Sequence, residues 1–178
     1  MELVVRPTTE ADIVAAEKCL TDGKAALAAL GVPQWRGEYP DRIDIEADMA
    51  EGASYVAVDE GGTVHAVMAL SFSGEETYDA IDGAWLTESD SADPRYAVIH
   101  RCAVSAEAAR RGIMTRMFTE GERLAREHGA QSIRIDTHER NIPLQGLAGK
   151  LGYTHCGAII LPYPEEIDPL RLAFEKVL

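Results

Sequence analysis

Arg110, Arg111 and Gly112 stand between an apolar, strand-like run from Tyr96 to Val104 and a helix-like pattern from Gly112 to His128. A helix N-terminus presents unpaired N–H groups and a partial positive charge. Two arginines beside it make a seat for a phosphate or pyrophosphate, and the glycine lets the backbone come close to such a ligand. The same residues also suit a plain solvated helix start, and the physics alone leaves both readings open. The spacing is not that of a P-loop, whose lysine is missing, nor that of a dinucleotide-binding turn with its three glycines. Charge singles out the same stretch. The chain has 178 residues and a net charge of −13. Residues 1–99 contribute −14 and residues 129–178 contribute −1, whereas residues 100–128 carry +2.

The elements that must position this stretch follow from pattern. Leu3 to Arg6 is a short strand ending at Pro7. Thr9 followed by Asp12 resembles a capping box, and Ile13, Ala16, Leu20, Leu27 and Leu30 recur at helical spacing. Gly31-Val32-Pro33 ends that helix, and a second helix is predicted from Asp41 to Glu51. Ser54 to Asp59 and Val64 to Phe72 read as a hairpin around Glu60-Gly61-Gly62. Residues 73–93 are polar and read as a long loop with a short strand. Strands at Ser132 to Thr137, Thr154 to Leu161 and Leu170 to Val177, with a helix from Asn141 to Leu151, complete the chain. The order β-αα-ββ-β-α-β-α-β-β predicts one mixed α/β domain over residues 1–178.

This order resembles that of the GNAT superfamily of N-acetyltransferases. That family's fingerprint is Gln/Arg-x-x-Gly-x-Gly/Ala, and Ala109-Arg110-Arg111-Gly112-Ile113-Met114 is similar to it, with both flanking positions changed. Asn141, then Lys150-Leu151-Gly152-Tyr153, is similar to the family's Asn-x₈-Lys-x-Gly-Phe/Tyr. The resemblance implies a central, mostly antiparallel sheet splayed at a bulge, with helices on both faces. It implies acetyl-CoA as acyl donor and direct attack by a primary amine of a small molecule or a peptide. It places the pantetheine arm and the thioester oxygen on the backbone of Cys102 and Val104. The pyrophosphate goes to the amides of Arg110, Arg111, Gly112, Ile113, Met114 and Thr115, and Asn141 binds the coenzyme arm through its side chain.

The family's usual acid and base are missing. Its frequent glutamate falls at Val98 and its frequent tyrosine at Ala148. On a strand, alternate residues share a face, so Val98, His100 and Cys102 are expected on one side. His100 is then the first candidate for the base or for holding a relay water, because an imidazole exchanges its proton near neutrality. A structural, hydrogen-bonded histidine is the competing reading. His138 is the second candidate and Glu139 the third. Cys102 reads as a packed strand residue rather than a nucleophile. Loops 31–40 and 73–95 are expected to shape the acceptor side. There Trp35, Tyr39, Tyr78 and Trp85 are pocket or core, and Glu38, Asp79 and Asp82 are acceptor-attracting or plain surface.

The remaining expectations are exclusions and rivals. A net negative chain does not suit nucleic acid or anionic membranes, and no apolar run has the length of a membrane span. Met1 to Pro7 lacks the character of a secretory signal. Cys19, Cys102 and Cys156 form no CxxC pair and read as cytoplasmic thiols. No metal-ligand spacing is present, so no metal is expected. A homodimer through the last strands, common in the family, is carried as an expectation. Two rivals stand beside the enzyme: a non-catalytic GNAT-fold module that binds acyl-CoA and regulates a partner, and an acidic partner protein with a decayed cofactor site.

Overall fold

The computed structural model describes residues 2–164 and 166–178. Among them are strands β1 (Leu3–Pro7), β2 (Ser54–Asp59), β3 (Val64–Ser71), β4 (Asp82–Gly83), β5 (Tyr96–Val104), β6 (Ser132–Thr137), β7 (Thr154–Ile160) and β8 (Leu170–Val177). The helices are α1 (Ile13–Ala29), α2 (Arg42–Ala50), α3 (Ile113–His128) and α4 (Ile142–Lys150). The strands form one eight-stranded sheet in the order β1-β2-β3-β5-β6-β8-β7-β4. Pairing is antiparallel for β1–β2, β2–β3, β6–β8, β7–β8 and β4–β7, and parallel for β5–β6. The expected mixed α/β class with a mostly antiparallel sheet is what the chain adopts. The β5–β6 ladder holds three pairs, Tyr96 with Ser132 through Val98 with Arg134.

Contacts divide the chain into two compact units. The first contains residues up to Ala26, Trp35–Leu70 and Ile99–Gly121. Its core gathers Ile13, Ala16, Cys19 and Leu20 of α1, Ile45 of α2, Val56 and Val58 of β2, Val64 and Val67 of β3, and Ala103 of β5. Of the periodic residues of the first helix, Ile13, Ala16 and Leu20 face this core and Leu27 is buried, whereas Leu30 lies past the helix end and is exposed. Both helix starts are fixed by the acids that mark them. Asp12 accepts from the Thr9 backbone N–H at 2.8 Å, and Asp41 accepts from that of Ile43 at 2.7 Å while Asp44 accepts from that of Asp41 at 2.8 Å. These bonds satisfy N–H groups that a helix start leaves orphaned.

The second unit contains Leu27–Gln34, Ser71–Val98 and Glu122–Leu178. Its core joins Tyr78, Tyr96, Val98, Ile159 and Ala173, flanked by Ile81, Trp85 and Leu161. The short strand expected in the polar loop is β4, and two glycines admit it. Gly83 and Gly157 are paired, and a Cβ on either would lie 2.2 Å from a carbonyl oxygen of the other's strand. No side chain other than hydrogen fits such an approach.

Candidate functional site

In the first unit, β5 leads directly into the arginine loop. Ser105 N–H donates to the His65 carbonyl at 2.9 Å, and a 3-10 turn covers Ala106–Ala108. Asp22 of α1 holds that turn by accepting from the Ala106 backbone N–H at 2.8 Å and from Lys18 at 3.0 Å. The Ala106 N–H, and Lys18 after it, keep the Asp22 carboxyl below its usual range despite some burial. Arg110 then takes a left-handed φ of 61° and Gly112 one of 76°. Arg116 N–H closes the first helical bond onto the Gly112 carbonyl at 3.2 Å. The N–H groups of Ile113, Met114 and Thr115 thus belong to the first turn, which an α-helix cannot bond internally. A Cβ on Gly112 would meet no protein atom within 4 Å. The glycine is required by its φ, and the space before it is open to a ligand. Arg110 and Arg111 are both exposed. This is the chemistry of an anion seat: backbone donors, a helix dipole and two guanidinium groups.

Upstream, β5 is not a smooth strand. Arg101 has a φ of 45°, a left-handed conformation that costs a non-glycine residue about 1–3 kcal/mol. The period-2 rule that puts Val98, His100 and Cys102 on one face therefore runs only as far as Arg101. His100 and Cys102 are half-buried on either side of it, as is Val104. The guanidinium of Arg101 bonds Asp48 of α2, with Nε to Oδ2 at 2.8 Å and Nη2 to Oδ1. Burial works against the Arg101 charge, but the bonds to Asp48 raise its pKa above the ordinary arginine value.

The first-unit loop aromatics are tied to this strand's surroundings. Trp35, with a φ of 60°, packs against the core, its ring 3.1 Å from where a Gly23 Cβ would stand. Tyr39 Oη lies 3.4 Å from Arg101 Nη1, and Lys24 donates to the carbonyls of Gly37, at 3.2 Å, and Glu38. Cys19 is buried, and burial pushes its thiol up to about 11, so it is no nucleophile near neutrality.

The second unit holds the remaining candidates. His138 is fully buried, with Nε2 3.0 Å from Asp168 Oδ2, while Nδ1 accepts from the Arg140 backbone N–H at 3.1 Å. Both ring nitrogens are committed, which assigns the proton of the neutral ring to Nε2. The bond from His138 holds the Asp168 carboxyl below its usual range. Asn141 caps α4, its Oδ1 accepting from the Leu144 N–H at 3.3 Å, and its Nδ2 donates to Thr137 Oγ1 at 3.0 Å. Glu139 gives its carbonyl to Gln145 Nε2 at 2.6 Å. At the positions of the missing acid and base, Val98 and Ala148 are completely buried.

The long polar loop is a structural clamp in this unit. Tyr78 is fully buried and donates to Asp136 Oδ1 at 2.7 Å, and Trp85 donates to the Tyr78 carbonyl at 2.9 Å. Asp79 accepts from Ser91 N and Oγ at 3.0 and 2.6 Å. Tyr78 and Trp85 are therefore core residues, while Asp82 lies exposed in β4. A buried cluster around Arg134 and Glu175 escaped sequence reasoning, because nothing local marks a charge on a strand as buried. Among the described residues no group of three His, Cys, Asp or Glu is placed to hold a metal, and no helix is long and apolar enough to cross a membrane.

Residues 25–153 match the family described as the acetyltransferase (GNAT) family. No curated protein matches the chain. The solved structures it resembles include a GNAT-family acetyltransferase from Streptococcus agalactiae 2603, at 32% identity and a TM-score of 0.84, covering 99% of this chain and 95% of that one. A GNAT-family acetyltransferase from Listeria monocytogenes 4b F2365 is 20% identical with a TM-score of 0.75, covering 100% and 96%. A ribosomal-protein-alanine N-acetyltransferase from Brucella melitensis shares the fold at 18% identity and a TM-score of 0.67, covering 98% and 99%. The family match spans most of the chain, and the chain belongs to the GNAT family of acetyltransferases.

Proposed function

We propose that the protein transfers the acetyl group of acetyl-CoA to a primary amine of a small molecule or a peptide. The observation that carries this reading is the arginine loop. It has a left-handed Arg110, an open Gly112 and the first-turn amides of α3, which the helix cannot bond internally, all in the one cationic stretch of an acidic chain. Those residues fit a pyrophosphate. Acetyl-CoA supplies a thioester carbonyl open to attack. Arg110, Arg111 and the amides of Gly112, Ile113, Met114 and Thr115 hold the coenzyme's phosphates. The backbone of Cys102 and Val104 orients its arm.

For the base we take His100, directly or through a water. His138 is less suited, because to accept a proton at Nδ1 it must first lose the Arg140 N–H. No side chain is assigned as the acid, and a water takes that role in the proposal.

Coenzyme A release against a panel of primary amines tests the whole reading, with turnover expected on at least one. A second reading has its own support, since the family's frequent glutamate and tyrosine are replaced here by buried Val98 and Ala148. Tight acetyl-CoA binding with no turnover on any amine would make the protein an acyl-CoA-binding regulatory module. A thermal-shift titration to millimolar acetyl-CoA supplies the binding arm, since a ligand that binds only the folded state raises its stability.

The loop itself has a separate test. The double variant R110Q/R111Q is expected to weaken acetyl-CoA binding about tenfold, as exposed charge-assisted bonds are lost. It should also flatten the dependence of Kd on ionic strength. An unchanged Kd and an unchanged salt slope would make the two arginines ordinary surface.

A further inference from the structure

Arg101 carries the bend of β5 and is tied to partners outside the strand. An extended strand could pass through this position with no left-handed residue, yet φ here is 45°. The conformation therefore needs a hold from outside the strand. That hold is a two-pronged bond to Asp48, a carboxylate only 8% exposed on α2, with Nε to Oδ2 at 2.8 Å and Nη2 to Oδ1. A fork of two parallel N–H···O bonds fixes direction as well as distance. The third nitrogen, Nη1, lies 3.4 Å from Tyr39 Oη. Tyr39 belongs to the loop that Lys24 anchors through the Gly37 and Glu38 carbonyls. One guanidinium thus joins β5, α2 and the loop over residues 35–40.

We propose that Arg101 is a positioning residue. Its fork onto Asp48 holds the left-handed turn in β5, and so sets the backbone of His100 and Cys102 for the coenzyme arm. Through Tyr39 it links that backbone to the 35–40 loop. The proposal rests on the acetyl-CoA reading for its functional half, while the mechanical half stands on the geometry alone. Glycine separates the two ways Arg101 could act. It adopts left-handed and extended backbone about equally well, so it permits the turn without enforcing it.

The test uses the double variant R101G/D48N, which removes the arginine and the buried charge it would leave behind. Urea unfolding establishes that it folds, and R101K, which keeps the charge but cannot fork, is carried beside it. In ligand-free protein, the amides over residues 100–104 are expected to exchange hydrogen about tenfold faster in R101G/D48N than in wild type. Calorimetric titration is expected to show acetyl-CoA binding about tenfold weaker in the double variant, with R101K between, since small misplacements of binding groups are costly. A merely structural pair would lower stability and leave the affinity of the folded protein unchanged. Wild-type exchange rates in R101G/D48N overturn the proposal whatever the ligand does. Altered exchange with unaltered affinity overturns its functional half. Failure of wild type itself to bind acetyl-CoA, with exchange altered, overturns the coenzyme reading and the functional half with it, and leaves the mechanical half standing.

Discussion

His100→Ala is expected to lower kcat by about 10²- to 10⁴-fold, the range a positioned general base contributes. The affinity for acetyl-CoA, measured by titration, should stay near that of wild type. The pH–rate profile is the sharper reading. A base acts only when unprotonated, so the wild-type rate should climb through the pH range in which the imidazole loses its proton, and that limb should vanish in the variant. The expectation rests on position and elimination. His100 is half-buried and adjoins the left-handed Arg101, whose bonds to Asp48 fix the backbone there. His138 is the natural control. Its ring nitrogens serve Asp168 and Arg140, so His138→Ala should cost stability before it costs the pH limb. A rate that keeps its pH dependence in His100→Ala would return His100 to the structural reading and leave a water as the base.

Most of the element order was legible because each boundary has a local cause. Asp12 and Asp41 stand where capping chemistry puts them, Gly31 ends the first helix with a φ of 69°, and Gly112 opens the third with one of 76°. The arginine loop was legible for the same reason, since its signal lies within three consecutive residues. A bulge in this strand was implied by the family resemblance, but its seat at Arg101 was not legible, because the residue that holds it, Asp48, lies 53 positions away. Partners set by tertiary structure leave no trace at that range. The charge map changes meaning for the same reason. The acidity of residues 1–99 suggested a surface for a cationic acceptor, yet several of its carboxylates have structural work. Asp12 pairs with Arg6 at 2.7 Å, Asp22 and Asp41 cap backbone N–H groups, Asp48 pairs with Arg101, and Asp79 organises its own loop. The acids left for attracting an amine are fewer than the total implies.

Arg134→Met is expected to destabilise the fold by about 3–5 kcal/mol, the cost of leaving a buried charge without its partner. Urea unfolding at neutral pH measures it. Glu175 is completely buried, and it accepts from Ser132 Oγ at 2.6 Å, Thr87 Oγ1 at 2.6 Å and Arg134 Nε at 3.1 Å. Arg134 is equally buried and lies over the rings of Tyr96 and Trp85 at 3.9 and 4.5 Å. Its other nitrogens donate to the carbonyls of Ser89, at 3.1 Å, and Thr87, at 2.9 Å. One side chain thus neutralises a buried carboxylate, fills an aromatic slot and pins residues 85–89 of the polar loop. Those roles separate in the double variant R134M/E175L. It removes both charges and should recover part of the loss, because apolar replacement of a whole buried pair is often tolerated. The unrecovered part belongs to the loop carbonyls, the cation–π stack and the donors of Ser132, Leu86 and Thr87 that lose Glu175 as their acceptor. Acid gives an independent check. Burial alone would raise the Glu175 pKa, but the bonds from Ser132, Thr87 and Arg134 prevail and lower it. A carboxyl held below its unfolded value, about 4.3 for glutamate, stabilises the fold above that pH, and the contribution disappears as pH falls through the folded value. The gap between wild type and Arg134→Met should therefore narrow in acid. A gap of equal size at pH 3.5 and pH 7 would assign the loss to packing and the loop, and none of it to the Arg134–Glu175 charge pair.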